Sequence, residues 1–85
     1  MSEERKYDKL IKKVKPIIEE AYPDVYVDHL YFIVHEGFAF RFKFLHEKKA
    51  ATVSCTFDKG VWSVEGTNVK HQVLADIHNI LEVES

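Results

Sequence analysis

Five histidines, one cysteine and fourteen carboxylates are among the groups in this 85-residue chain that could move a proton, attack an electrophile or hold a metal. Their spacing argues against each use. His71 and His78 stand on one side of a helical pattern, and seven residues at about 1.5 Å each put the two imidazoles about 10 Å apart. One zinc ion cannot bind both at that distance, so a metal site would need His78, Glu82 and further ligands from elsewhere. The carboxylates nearest to proton-transfer partners, Asp28 beside His29 and Glu65 near Ser54, are dispersed, and no glycine-rich phosphate cradle accompanies them. Cys55 falls on the apolar phase of an alternating stretch, where a thiol acts as a small hydrophobe and stays protonated. The expectation is a protein that is not an enzyme, with no catalytic residue, no metal ligands and no cofactor.

Recognition chemistry has more to work with. The stretch GFAFRFKFLH, Gly37 to His46, alternates Phe38, Phe40, Phe42 and Phe44 with Ala39, Arg41 and Lys43. Such alternation is the mark of a half-buried strand: the phenylalanines form core, and Arg41 and Lys43 face the other way. Which residues share the outer face with the two cations depends on how the neighbouring strands pair, so the elements come first.

In KYDKLIKKVKPIIEEAY the apolar residues Tyr7, Leu10, Ile11, Val14, Ile18 and Ala21 recur at helical spacing. Pro16 lies inside this first helix, where it removes a backbone donor, so a kink or restart is expected near Lys15. Pro23 ends the segment. From Val25 onward the period is two, and turn signals at HEG, HEKK and DKG divide the stretch into strands at about 25–35, 38–45, 50–57 and 61–66. A three-residue loop at His35-Glu36-Gly37, with Gly37 in the left-handed conformation, would set Val34, Phe32 and Leu30 opposite Phe38, Phe40 and Phe42. A four-residue loop from His46 to Lys49 places Ala51, Val53, Cys55 and Phe57 beside Phe44, Phe42, Phe40 and Phe38. A two-residue turn at Lys59-Gly60 sets Trp62 opposite Phe57 and Val64 opposite Cys55. After Gly66, Thr67 or Asn68 can cap a second helix whose stripe is Val69, Val73, Ile77, Ile80 and Leu81, ending near Val83. The expected fold is α+β: a two-layer α-β-β-β-β-α arrangement with a four-stranded antiparallel meander and both helices packed on one face. It forms a single domain, 1–85, with residues 1–4 and 83–85 frayed.

In that register the outer face holds Tyr31, Ile33 and His29 from the first strand beside Arg41 and Lys43, and these five are the candidate binding residues. Aromatic and arginine side chains dominate interface energetics, and an apolar first strand at a sheet edge is a template for pairing. The function expected is therefore a small protein-interaction or regulatory domain, binding another protein or a second copy of itself through the outer face or first strand. The alternative is a nucleic-acid module that stacks a base on Tyr31 and reaches phosphates with Arg41 and Lys43. The His71/His78 side of the second helix is a further candidate face.

Composition limits the field. At 46% hydrophobic and 31% charged the chain belongs with folded domains, and a formal charge of −2 supplies no field that would gather a polyanion. A lone cysteine cannot form an internal disulfide, and the charged start MSEERKYDK contains no apolar core of a signal peptide, so the expected location is cytoplasmic, away from membranes.

Overall fold

The computed structural model describes residues 2–34 and 36–84, with side chains from Asp8 onward. Its elements are α1 (Ser2–Ala21), β1 (Asp28–Val34), β2 (Gly37–His46), β3 (Lys49–Asp58), β4 (Val61–Thr67) and α2 (His71–Glu84). The strands make one antiparallel sheet in chain order, and both helices cover the phenylalanine face, as the periodicity predicts. Of residues 1–4 and 83–85, expected to fray, 2–4 and 83–84 lie within the helices, and 1 and 85 lie outside the described residues.

α1 buries Leu10, Ile11, Val14 and Ile18 as one stripe; the side chain of Tyr7, expected on it too, lies outside the described residues. The helix runs through Pro16 without the expected restart. Pro16 is exposed, so the carbonyl of Lys12 that loses its amide partner faces water, which satisfies it. The last turn closes through the Tyr22 N–H donating to the Ile18 carbonyl at 2.9 Å, and Asp24 then turns the chain with a φ of 69°.

Two of the three strand pairings agree with the sequence. Phe40 lies opposite Cys55 and Phe44 opposite Ala51; Phe57 lies opposite Trp62 and Cys55 opposite Val64. The β2–β3 connection is shorter than expected, a two-residue turn at Glu47-Lys48 with φ of 54° and 67°, and the ladder extends to His46 opposite Lys49. The phase, and so the core face, is unchanged. Beneath the helices Phe40, Phe42, Val53 and Cys55 are wholly buried, and Trp62 meets Phe38 edge-on with centroids 5.5 Å apart.

The β1–β2 pairing differs. Ile33 lies opposite Phe38, Tyr31 opposite Phe40, and His29 opposite Phe42, a slip of one residue from the register set by a three-residue loop. Val34 pairs with Gly37, which is part of β2 and not a left-handed loop residue; His35, the first residue of the expected loop, lies outside the described residues. Gly37 is needed for another reason: a Cβ there would stand 1.7 Å from the Phe57 carbonyl oxygen. β1 also begins at Asp28 rather than Val25. The slip has a physical cause. Register is strongly specified only where one face of a strand is buried, and every β1 residue from Asp28 to Ile33 is exposed. A run of Leu, Tyr, Phe, Ile and Val carries no in-or-out information there.

α2 starts later than either expected cap. Thr67 is still in β4, Asn68 occupies a left-handed turn at φ 58°, and Lys70 precedes the first helical residue, its carbonyl accepting from the amides of Val73 and Leu74. The Lys70 N–H donates to the Tyr22 hydroxyl at 2.8 Å, which ties the end of α1 to the start of α2.

Candidate functional site

The corrected pairing redistributes the candidate residues. Residues directly opposite one another share a face, so His29, Tyr31 and Ile33 stand on the helix side of the sheet, in line with Phe42, Phe40 and Phe38. The His29 ring lies 6.2 Å from that of Phe42. Arg41 and Lys43 are on the outer face as expected, but their neighbours from β1 are Leu30, Phe32 and Asp28. The five candidates therefore do not form one surface. The nucleic-acid arrangement, which needs Tyr31 on the same face as Arg41 and Lys43, is not assembled.

What the structure brings together instead is an edge strand and the cation beside it. Leu30 is 47% exposed, Tyr31 41%, Phe32 38% and Ile33 73%, so a continuous apolar run meets solvent on both faces of β1. Arg41 lies against this run: its guanidinium carbon is 5.9 Å from the Phe32 ring centroid, and its Nε donates to Ser54 Oγ at 3.1 Å. The bond and the ring hold the side chain flat along the sheet. Ala39, although on the outer face, is buried between Phe32 and Thr56 in its row. Beyond Arg41 the face becomes a polar trough of about 450 Å³ lined by Thr52, Ser54, Glu65 and Thr67.

At the other end of β1 a more apolar cleft of about 550 Å³ opens between Tyr26, Val25, Phe44, Leu45, Ala50 and Ala51. Tyr26 is 83% and Leu45 66% exposed, large apolar groups for a wet surface. Sequence reasoning missed Leu30 and Phe32 by assigning them to the core, and missed Leu45 although it continues the two-residue phase of Arg41 and Lys43. Tyr26 lies in the turn segment before β1, where periodicity carries no signal.

The groups with chemical potential are placed without convergence. His78 Nε2 is 3.3 Å from Glu82 Oε1 on α2, and among the described residues no cluster of three or more metal-ligating side chains exists. Cys55 is fully buried, and desolvation pushes its thiol up to about 12, so this thiol stays protonated at neutral pH. A shallow concavity of about 450 Å³ beside the start of α2 gathers Tyr22, His46, Lys70 and His71, with His46 edge-on to the Tyr22 ring at 4.5 Å. No helix among the described residues is long and apolar enough to cross a membrane. Comparison of the chain with known protein families, with curated proteins and with solved structures found no match.

Proposed function

We propose that this chain is a protein-interaction domain whose contact surface is the edge strand β1 together with the outer-face residues beside it. The observation that carries this reading is the exposure of Leu30, Tyr31, Phe32 and Ile33 in succession on a strand with only one neighbour. Edge strands in folded domains are blunted by lysines, prolines, bulges or a covering element. Between Asp28 and Val34 the described chain has no lysine and no proline. Arg41 adds an anchor of the type enriched at interfaces, and its contact with Phe32 and bond to Ser54 reduce the entropy lost on binding. The dispersed histidines and the buried thiol give a catalytic reading nothing comparable.

The double variant Phe32→Ser with Arg41→Glu tests this. Captured from a nuclease-treated lysate, the wild-type protein should retain a partner that the variant loses. If both positions are central, at about 2 kcal/mol each, affinity for the purified partner falls about a thousandfold. Thermal melting of the variant alone confirms that the fold survives. His71→Ala with His78→Ala is the control and should bind as wild type; loss of binding there, with the sheet variant unaffected, would move the site to α2.

A further inference from the structure

We propose that the occupant of the β1 edge is a second copy of this chain, its β1 laid antiparallel against the first so that two four-stranded sheets become one. The inference rests on the reading of β1 as a contact surface and names what contacts it.

Backbone direction comes first. In an antiparallel ladder alternate residues exchange bonds with the neighbouring strand, and the residues between them point their N–H and C=O groups away. The phase is visible at His29, whose N–H donates to Asp28 Oδ1 at 3.0 Å, an acceptor on its own strand. His29 thus belongs to the outward set, and the two-residue period places Ile33 in it as well. An antiparallel partner must oppose outward residues to outward residues. A copy of β1 does so when His29 of each chain faces Ile33 of the other, with Tyr31 of each at the two-fold axis.

Side chains agree with this register. Between the bonded pairs, Leu30 of each copy lies against Phe32 of the other on the outer face, and both are large apolar groups now exposed to water. Charge agrees as well: Asp28, at the strand end, is the only charged residue in β1, so an identical strand brings no like charges opposite one another. With −2 per chain, long-range repulsion is slight. The other sheet edge, β4, carries Glu65 and Gly66, which disfavour pairing there. Contact through β1 alone gives a closed two-fold dimer and no filament. A single-strand interface lies at the small end, below about 1,200 Å² in total, the size class of weak and transient contacts, so the dimer should dissociate on dilution.

Sedimentation equilibrium from low-micromolar to millimolar chain should show a monomer–dimer equilibrium, and the Ile33 amide should exchange more slowly as concentration rises. Ile33→Pro removes an outward N–H without touching the β1–β2 ladder; it should keep its far-ultraviolet spectrum and sediment as monomer. Oxidising a mixture of Leu30→Cys and Phe32→Cys chains should give a mixed disulfide, since facing Cα atoms in such a pair stand about 4.5 Å apart. Cys55, being buried, does not compete. A monomer at every concentration, or a dimer that survives Ile33→Pro, overturns the proposal. Faster self-crosslinking of Phe32→Cys than mixed crosslinking overturns this register. A purely monomeric protein whose lysate partner is still lost with Phe32→Ser and Arg41→Glu would leave β1 as a contact surface for a different protein.

Discussion

Cys55 carries a measurable consequence of its burial. A thiol whose pKa is raised from 9.0 to about 12 by desolvation stabilises the fold fully below pH 9, where both folded and unfolded chains are protonated. As pH climbs from 9 towards about 12 the unfolded chain ionises first and that contribution is lost. Urea denaturation across this range should show stability falling by at most about 1.4 kcal/mol per pH unit more than in Cys55→Ala. Equal pH slopes in the two proteins would mean the thiol meets water. Phe42 and Arg41 make the complementary comparison, since adjacent residues point to opposite faces. Phe42→Ala should cost about 3–5 kcal/mol by leaving a cavity mid-sheet. Arg41→Ala, losing one exposed bond and a ring contact, should cost about 1 kcal/mol or less. Thermal melts in which the two are equally harmful would contradict the facing of β2.

At the scale of elements, Pro16 invites substitution. The helix continues through it on an exposed face, so Pro16→Ala restores a backbone bond and removes ring crowding, and should raise stability by up to about 3 kcal/mol in chemical denaturation. A loss instead would mean that the path of α1 over the sheet depends on the proline. Element order, both hairpins after β2 and the core face were legible because Phe38, Phe40, Phe42 and Phe44 are buried on one side and impose a phase that β3 and β4 must match. β1 was not legible in register, because with both faces wet Leu30 and Tyr31 are equally acceptable in either direction. The candidate site inherited that error: Arg41 and Lys43 were placed by β2 alone and stand where expected, whereas Tyr31, Ile33 and His29 were placed through β1 and moved to the other side.

Across the whole molecule, strand pairing is local and helix packing is not. Each strand bonds to its sequence neighbour, while α1 and α2 come from opposite ends of the chain and pack on one another. The Tyr22 hydroxyl, accepting from the Lys70 amide 48 residues away, ties the segment just after α1 to the one just before α2. Tyr22→Phe should therefore cost about 0.5–1.5 kcal/mol and speed hydrogen exchange at Lys70 while leaving the β2–β3 amides unchanged. Uniform loss of protection would instead show that the sheet and helices open as one unit.

Because β2 is made before α2, the order of synthesis also matters. A growing chain can zip the meander early, since its contacts are short-range. The phenylalanine face of that sheet nevertheless stays half roofed until Val73, Ile77 and Leu81 have left the ribosome. At roughly 5–20 residues per second that interval lasts a few seconds, during which four aromatic side chains on one strand are accessible to neighbouring nascent chains. Crowded translation on a shared message should make this small domain more dependent on chaperones than its size suggests.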